Sequence, residues 1–207
     1  MSVAQRERAA LVETLRSVGP DAPTLCGGWT TRDLTAHLVL REYRLDAAPG
    51  IAVPALAGYT AKVQKQIAES TDWDALLAKF AAGPPLYSPL KLLDPLANVT
   101  EMFVHHEDVR RAVPGWQPRE LDAAETAALR RPIPMLSRMA MARVPARVSL
   151  RTPDGETVCT VGRGPKLTIT AEAPELLLFA FGRNEVRADF AGDDDTIAAV
   201  KAAERGL

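Results

Sequence analysis

The chain contains three histidines. Two of them, His37 and His105, are candidates for metal chemistry because of the residues around them. Glu101 and His105 are four residues apart, so on a helix their side chains lie on the same face. His37 stands in a separate helical segment and could supply a third ligand. Two imidazoles and one carboxylate suit a divalent ion, and a three-ligand set leaves coordination positions open. This pattern therefore predicts a metal site of the catalytic type.

The residues alone also allow a simpler interpretation, in which Glu101 and His105 are a helix surface pair and His37 is a hydrogen-bonded core residue. Asp108 follows Glu101 by seven residues and returns to the same helix face. Its carboxylate could orient a ligand imidazole, as metal sites usually require, or it could form a cap or a salt bridge. His106 is about 100° around the helix from His105, so we expect its side chain to point elsewhere.

Three further side chains lie close to His37 in the sequence, and each could have a role in or near the site. Arg41 lies one helical turn after His37, and a guanidinium there could bind an anionic substrate in bidentate fashion. Cys26 precedes the motif, and no basic neighbour in sequence would lower its pKa, so we predict a packing role. Trp29 is predicted to be a hydrophobic anchor before the helix and not a substrate platform.

The pattern of apolar residues changes in character along the chain. Helices are predicted over residues 3–17, 31–47, 57–81, 95–112 and 120–143, the last with a kink at Pro132 and Pro134. After Pro145 the pattern alternates and predicts strands over 147–151, 157–161, 167–170 and 186–190, with helices over 173–181 and 194–204. We therefore predict an α+β protein, with a helical bundle over residues 1–144 and a small α/β domain over residues 145–207.

Composition and charge exclude several classes of protein. The net charge of −1 gives no basic surface for nucleic acid as the main partner. No apolar run approaches the length of a membrane span, and the first residues lack the apolar core of a signal peptide. The two cysteines are far apart, which excludes a CxxC zinc site and disfavours a disulfide framework. We expect a cytoplasmic protein, and the sequence leaves its oligomeric state open.

Two segments together resemble the mycothiol-dependent maleylpyruvate isomerase superfamily. Residues 28–38, Gly-Trp-Thr-Thr-Arg-Asp-Leu-Thr-Ala-His-Leu, resemble its first signature, and Glu101-x-x-x-His105-x-x-Asp108 resembles its second. Residues 175–183 are similar to the small C-terminal domain of many members, which has a sterol-carrier-like α/β layout. The resemblance covers nearly the whole chain and is nearest to an actinobacterial group described only as metal-binding. It implies a DinB-like four-helix bundle in the N-terminal part.

The resemblance also implies a ligand set and a chemistry. His37, Glu101 and His105 would bind a divalent ion, commonly zinc in this family. Mycothiol would bind as a thiolate and add to a small electrophilic substrate, giving isomerisation or S-transfer. The spacing of Arg41 from His37, and not the resemblance, places its side chain near the reacting groups. Two alternatives stay open: a metal-assisted hydrolase, which the absence of a second evident base slightly disfavours, and a non-catalytic protein that binds a metal or a small ligand.

Overall fold

The structure is a computed structural model that describes residues 1–88, 91 and 95–205. It contains two compact units, Met1–Gln117 and Pro118–Leu207. The first unit is helical, and the second combines helices with a β-sheet. The predicted fold class, an α+β chain with a helical part followed by an α/β part, is therefore confirmed.

The first unit is built from helices that pack side by side. They are α1 (Val3–Val18), α2 (Thr31–Tyr43), α3 (Ala57–Ser70), α4 (Trp73–Ala81) and α5 (Pro95–Arg110). α1 packs along α5 and against α4, and α2 packs against α3 and α4. Their apolar faces meet in one core that includes Leu11, Leu34, Leu38, Phe80 and Met102, all fully buried.

Two predicted helices of this unit have different ends in the structure. The single helix predicted over residues 57–81 is divided into α3 and α4, because the Asp72 carboxylate accepts hydrogen bonds from the backbone of Asp74 and Ala75 and so starts a new helix. The helix predicted to reach residue 47 ends at Tyr43, and a 3-10 turn at Ala48–Ile51 follows.

The start of α2 is fixed by a reciprocal cap, which positions His37 two turns later. The Thr30 side chain accepts from the backbone N–H of Asp33, and the Asp33 carboxylate accepts from the backbone N–H of Thr30 at 3.0 Å. The preceding loop is held by the Thr24 hydroxyl, which donates to the carbonyl of Trp29 at 2.8 Å. The capping box predicts where α2 begins, and the structure confirms that start.

The second unit contains two short helices, a sheet and two further helices. Its elements are α6 (Ala123–Arg130), α7 (Ile133–Ala140), β1 (Arg147–Arg151), β2 (Thr157–Val161), β3 (Lys166–Thr170), α8 (Ala173–Ala180), β4 (Asp189–Ala191) and α9 (Asp194–Ala202). Among the described residues the strand order is β2-β1-β3-β4, with β1 antiparallel to β2 and parallel to β3, and β4 antiparallel to β3. One sheet face is buried and carries Val148, Leu150, Cys159, Val161, Leu167 and Ile169.

The helix predicted over residues 120–143 consists of α6 and α7, which are separated at Arg131 and Pro132. Pro132 has no backbone N–H to donate, so a helix readily ends there. α6 and α7 both pack against α8, and α7 also packs against β2. The sequence predicts a domain boundary at Pro145, which lies just before β1. The two compact units of the structure divide between Gln117 and Pro118.

Charged groups inside the first unit are paired. Arg8 on α1 donates from Nη1 to the Glu42 carboxylate at 3.0 Å and to the carbonyl of Phe80 at 2.8 Å. The guanidinium also lies over the Phe80 ring, 4.8 Å from its centroid. Burial raises the pKa of Glu42, although the hydrogen bond from Arg8 opposes that effect. The pair links α1, α2 and α4 at a point where the Glu42 side chain is fully buried and Arg8 is largely buried.

None of the helices in the described part of the chain combines the length and the apolar character that a membrane crossing requires.

Arg8→Met should strongly destabilise the first unit, because it leaves the Glu42 carboxylate buried without its cation. We expect a loss of about 3–5 kcal/mol in the free energy of unfolding, measured by urea denaturation followed by circular dichroism. Replacing both partners, Arg8→Met with Glu42→Leu, should recover most of that loss.

Arg16→Met is the control on the same helix, because Arg16 pairs with Glu13 on the exposed surface. It should change the free energy of unfolding by less than about 1 kcal/mol. If the two single variants were equally stable, the buried pair would not have the role described here.

Candidate metal centre

The predicted ligands converge between α2 and α5. His37 projects from α2, and Glu101 and His105 project from successive turns of α5. Nε2 of His105 lies 3.3 Å and Nε2 of His37 lies 3.8 Å from Oε1 of Glu101. The three ligand atoms all lie within 4.8 Å of one another. Each imidazole thus presents its Nε2 edge to the same carboxylate.

These separations can be compared with those around a bound ion. Zinc bonds of about 2.0–2.2 Å at angles near 90–110° place neighbouring ligand atoms about 3.0–3.5 Å apart. The two separations from Glu101 match or slightly exceed that range. Small side-chain movements would therefore bring all three groups to bonding distance, and the donor set fits a divalent ion.

Asp108 holds His105 in the orientation that a ligand would need. Nδ1 of His105 donates to Oδ2 of Asp108 at 3.0 Å, which leaves Nε2 directed toward Glu101. The Asp108 side chain is fully buried. The same oxygen accepts from the Cys26 thiol at 3.0 Å. Asp108 therefore accepts a hydrogen bond on the ring edge of His105 that is opposite Glu101, as the outer carboxylate of a metal site would.

The electrostatics of the site favour a carboxylate beside an imidazolium when no ion is present. Burial by itself would raise the pKa of Glu101, but hydrogen bonds from His105 and His37 and the charge of Arg41 hold it well below its usual range. Burial would lower the pKa of His105, but its contacts with Asp108, Cys26 and Glu101 raise it well above its usual range. A bound cation would have to displace the proton from His105.

Arg41 reaches the site, as its spacing from His37 predicts. Its Nε lies 3.5 Å from Oε1 of Glu101, and its Nη1 donates to Oδ1 of Asn98 at 3.2 Å. Arg44, one turn further along, pairs instead with Asp46 at 2.7 Å on the exposed surface. Of Arg41 and Arg44, it is therefore Arg41 that lies beside the candidate ligands.

His106 points away from the candidate site, which confirms the expectation from helix geometry. Its Nδ1 lies 2.8 Å from the Glu7 carboxylate, and its Nε2 lies 2.8 Å from the Thr14 hydroxyl. Both partners are on α1, and His106 is buried against that helix. Its imidazole thus joins α5 to α1.

Cys26 and Trp29 both contact residues of the site, and the sequence did not indicate these contacts. Cys26 packs against the core as predicted, but its Sγ also lies beside Asp108 and 3.7 Å from Nδ1 of His105. Trp29 also packs against the core, and its ring centroid lies 5.1 Å from that of His37. The loop reaches α5 through the backbone N–H of Leu25, which donates to the carbonyl of Asp108 at 3.0 Å. The position of Cys26 and Trp29 shortly before the start of α2 is the one signal that could have suggested these contacts.

Comparisons with known proteins agree with this architecture. The family described as "Mycothiol maleylpyruvate isomerase N-terminal domain" matches residues 2–94. A crystal structure of the mycothiol-dependent maleylpyruvate isomerase superposes with a TM-score of 0.56 at 13% sequence identity, over 92% of this chain and 91% of that one. No curated protein matches the sequence.

The family match covers α1 to α4 and includes the motif that carries His37, whereas Glu101 and His105 lie beyond it. The structural match extends over both units and shows the fold. Residues 2–94 therefore match the mycothiol maleylpyruvate isomerase N-terminal domain family, and the chain as a whole shares its fold with the mycothiol-dependent maleylpyruvate isomerase, in agreement with the resemblance of its sequence motifs.

Proposed function

We propose that this protein binds one divalent ion, zinc in the first instance, through His37, Glu101 and His105. The observation that carries the proposal is the convergence of these three ligand atoms within 4.8 Å of one another. The hydrogen bond from Nδ1 of His105 to Asp108 supports it, because that bond fixes the ring with Nε2 toward the other ligands. A surface pair would need neither the third residue nor the buried acceptor.

We further propose that the site serves thiol chemistry, as an isomerase or S-transferase for a small electrophilic substrate, with mycothiol as the thiol. The support is the family match over residues 2–94 and the fold shared with a mycothiol-dependent isomerase. When bound, the ion would supply a Lewis acid that favours the thiolate over the thiol. The cytoplasm, where low-molecular-weight thiols stay reduced, is the compartment we propose for this reaction.

The chain's own side chains would position the reactants. Arg41 presents a guanidinium beside Glu101, and it could hold a carboxylate of the thiol or of the substrate in bidentate fashion. Asn98 accepts from Arg41 and limits the directions that the guanidinium can take. Trp29 lies against the ring of His37 and reduces the access of water to that ligand. In this arrangement the anionic group of the thiol or of the substrate would be held in place beside the ion.

His37→Ala should remove the ion bound at this site, because it deletes one of the three proposed ligands. His106→Gln should leave metal content nearly unchanged, since His106 contacts Glu7 and Thr14 on the far side of α5. Zinc per chain, measured by elemental analysis after dialysis of folded protein, distinguishes the two variants. Equal loss of zinc in both would contradict the ligand assignment.

Zinc binding near pH 7 should release about one proton per ion, because the raised pKa of His105 leaves that ring protonated in the metal-free protein. Calorimetry in two buffers of different ionisation enthalpy measures this release. The raised pKa of His105 also determines how the stability of the metal-free protein depends on pH. The protonated ring stabilises the fold fully below about pH 6.5, and this contribution is lost as pH rises through the higher folded-state pKa. Zinc uptake without proton release at pH 7 would contradict this account of the site.

Arg41→Ala should weaken mycothiol binding by roughly 1.5–3 kcal/mol, the usual cost of losing a hydrogen bond to a charged group. In cobalt-substituted protein the thiolate gives a charge-transfer band, and a mycothiol titration of that band measures affinity. Arg44→Ala is the matched control, because Arg44 is paired with Asp46 away from the site. A cobalt spectrum that saturating mycothiol leaves unchanged would contradict the thiol proposal and favour a hydrolase or a binding protein.

A further inference from the structure

A second group of ligand atoms lies on the opposite ring edge of His105. Sγ of Cys26 is 3.0 Å from Oδ2 of Asp108 and 3.7 Å from Nδ1 of His105. Nδ1 of His105 is itself 3.0 Å from Oδ2 of Asp108. One ligand atom from each of these three residues lies within 4.8 Å of the other two. The function proposed above uses Nε2 of His105 and does not use Cys26 as a ligand.

These three donors are a recognised combination for a thiophilic ion. A sulfur, an imidazole nitrogen and a carboxylate oxygen bind zinc at about 2.3, 2.0 and 2.0 Å, so tetrahedral pairs of them lie about 3.3–3.6 Å apart. The separations in the structure, 3.0 to 3.7 Å, lie close to that range. Sulfur ligation favours zinc and cadmium over hard ions such as magnesium.

Hydrogen bonds of the loop hold the backbone that carries the thiol. The N–H of Cys26 donates to the Thr24 hydroxyl at 3.1 Å, and the N–H of Leu25 donates to the carbonyl of Asp108 at 3.0 Å. Cys26 is partly exposed, whereas the Asp108 side chain is fully buried. An ion could therefore approach from the side of Cys26 and meet two donors that are already in place.

We propose that Cys26, Asp108 and Nδ1 of His105 form a second metal site for a thiophilic divalent ion. His105 then bridges two sites, with Nε2 facing Glu101 and Nδ1 facing Cys26. Binding would release the protons on Sγ and Nδ1 to solvent, and no group would be oxidised or reduced. Asp108 would change from hydrogen-bond acceptor to ligand, so occupancy of the second site would alter the orientation of the first. This site needs no thiol substrate and does not depend on catalysis at the first.

A cadmium titration of the metal-free full chain tests the proposal, because cadmium–thiolate bonds give an ultraviolet charge-transfer band. The wild-type protein should show this band and bind two cadmium ions per chain. Cys26→Ser should lose the band and retain one ion, since a serine hydroxyl can still donate to Asp108. Cys159→Ser, which removes the other cysteine, buried in β2, should retain both the band and the second ion.

His37→Ala separates this proposal from the proposed function. It should lose the ion at the first site and keep the thiolate band at full amplitude. No band in the wild-type protein, a band that survives Cys26→Ser, or a band lost in Cys159→Ser would each overturn the second site. A single bound ion in wild type that keeps its thiolate band in His37→Ala would instead support the second site and contradict the first.

Discussion

The hydrogen bond between His105 and Asp108 is the interaction on which the arrangement of the site depends. It fixes the ring of His105 so that Nε2 faces Glu101, and the acceptor is a carboxylate with no exposed surface. A buried carboxylate is stable only when it is paired and hydrogen-bonded, and Asp108 accepts from both His105 and Cys26. The loop before α2 is tied to the same residue through its backbone carbonyl. One turn of α5 thus organises the ligands and the segment that leads to His37.

The interior of the first unit contains other polar pairs besides this one. Glu107 of α5 pairs at 2.6 Å with Arg111, the residue after the end of that helix, and Glu7 pairs with His106 between α1 and α5. Together with Arg8 and Glu42, these residues place hydrogen-bonded polar pairs in the interior of the bundle. Such pairs add little net stability relative to apolar packing, but breaking one leaves an uncompensated charge. They therefore restrict how α1, α2 and α5 can be arranged, which in turn restricts the distance between His37 and Glu101.

Much of this architecture follows from local sequence signals. The spacing of Glu101 and His105 places both on one helix face, and the capping box at Thr30 sets the start of α2. The alternating pattern after Pro145 predicts the hairpin of β1 and β2 with its observed bounds. The break between α3 and α4 was not predicted. The apolar pattern continues across it, and an aspartate inside such a pattern is only a weak sign that a new helix begins there.

The contacts of Cys26 were out of reach of sequence reasoning for a different reason. Cys26 and His105 are separated by most of the first unit, so their approach depends on how the loop folds back onto α5. The resemblance identified the residues that converge, and the spacing of Asp108 from Glu101 indicated that its carboxylate could orient an imidazole, but the separations between the ligands of α2 and α5 come from packing. Residue spacing can define a helix face, whereas the meeting of two helices is set by the core between them.

A structure of the zinc-loaded protein, with anomalous diffraction at the zinc edge, tests the central claim most directly. The account predicts a strong peak about 2.0–2.2 Å from Nε2 of His37, Nε2 of His105 and a carboxylate oxygen of Glu101, with Nδ1 of His105 still donating to Asp108 wherever the site beside Cys26 is empty. In protein saturated with zinc, the absence of a peak at these three atoms would contradict it, whether or not a second zinc lies beside Cys26.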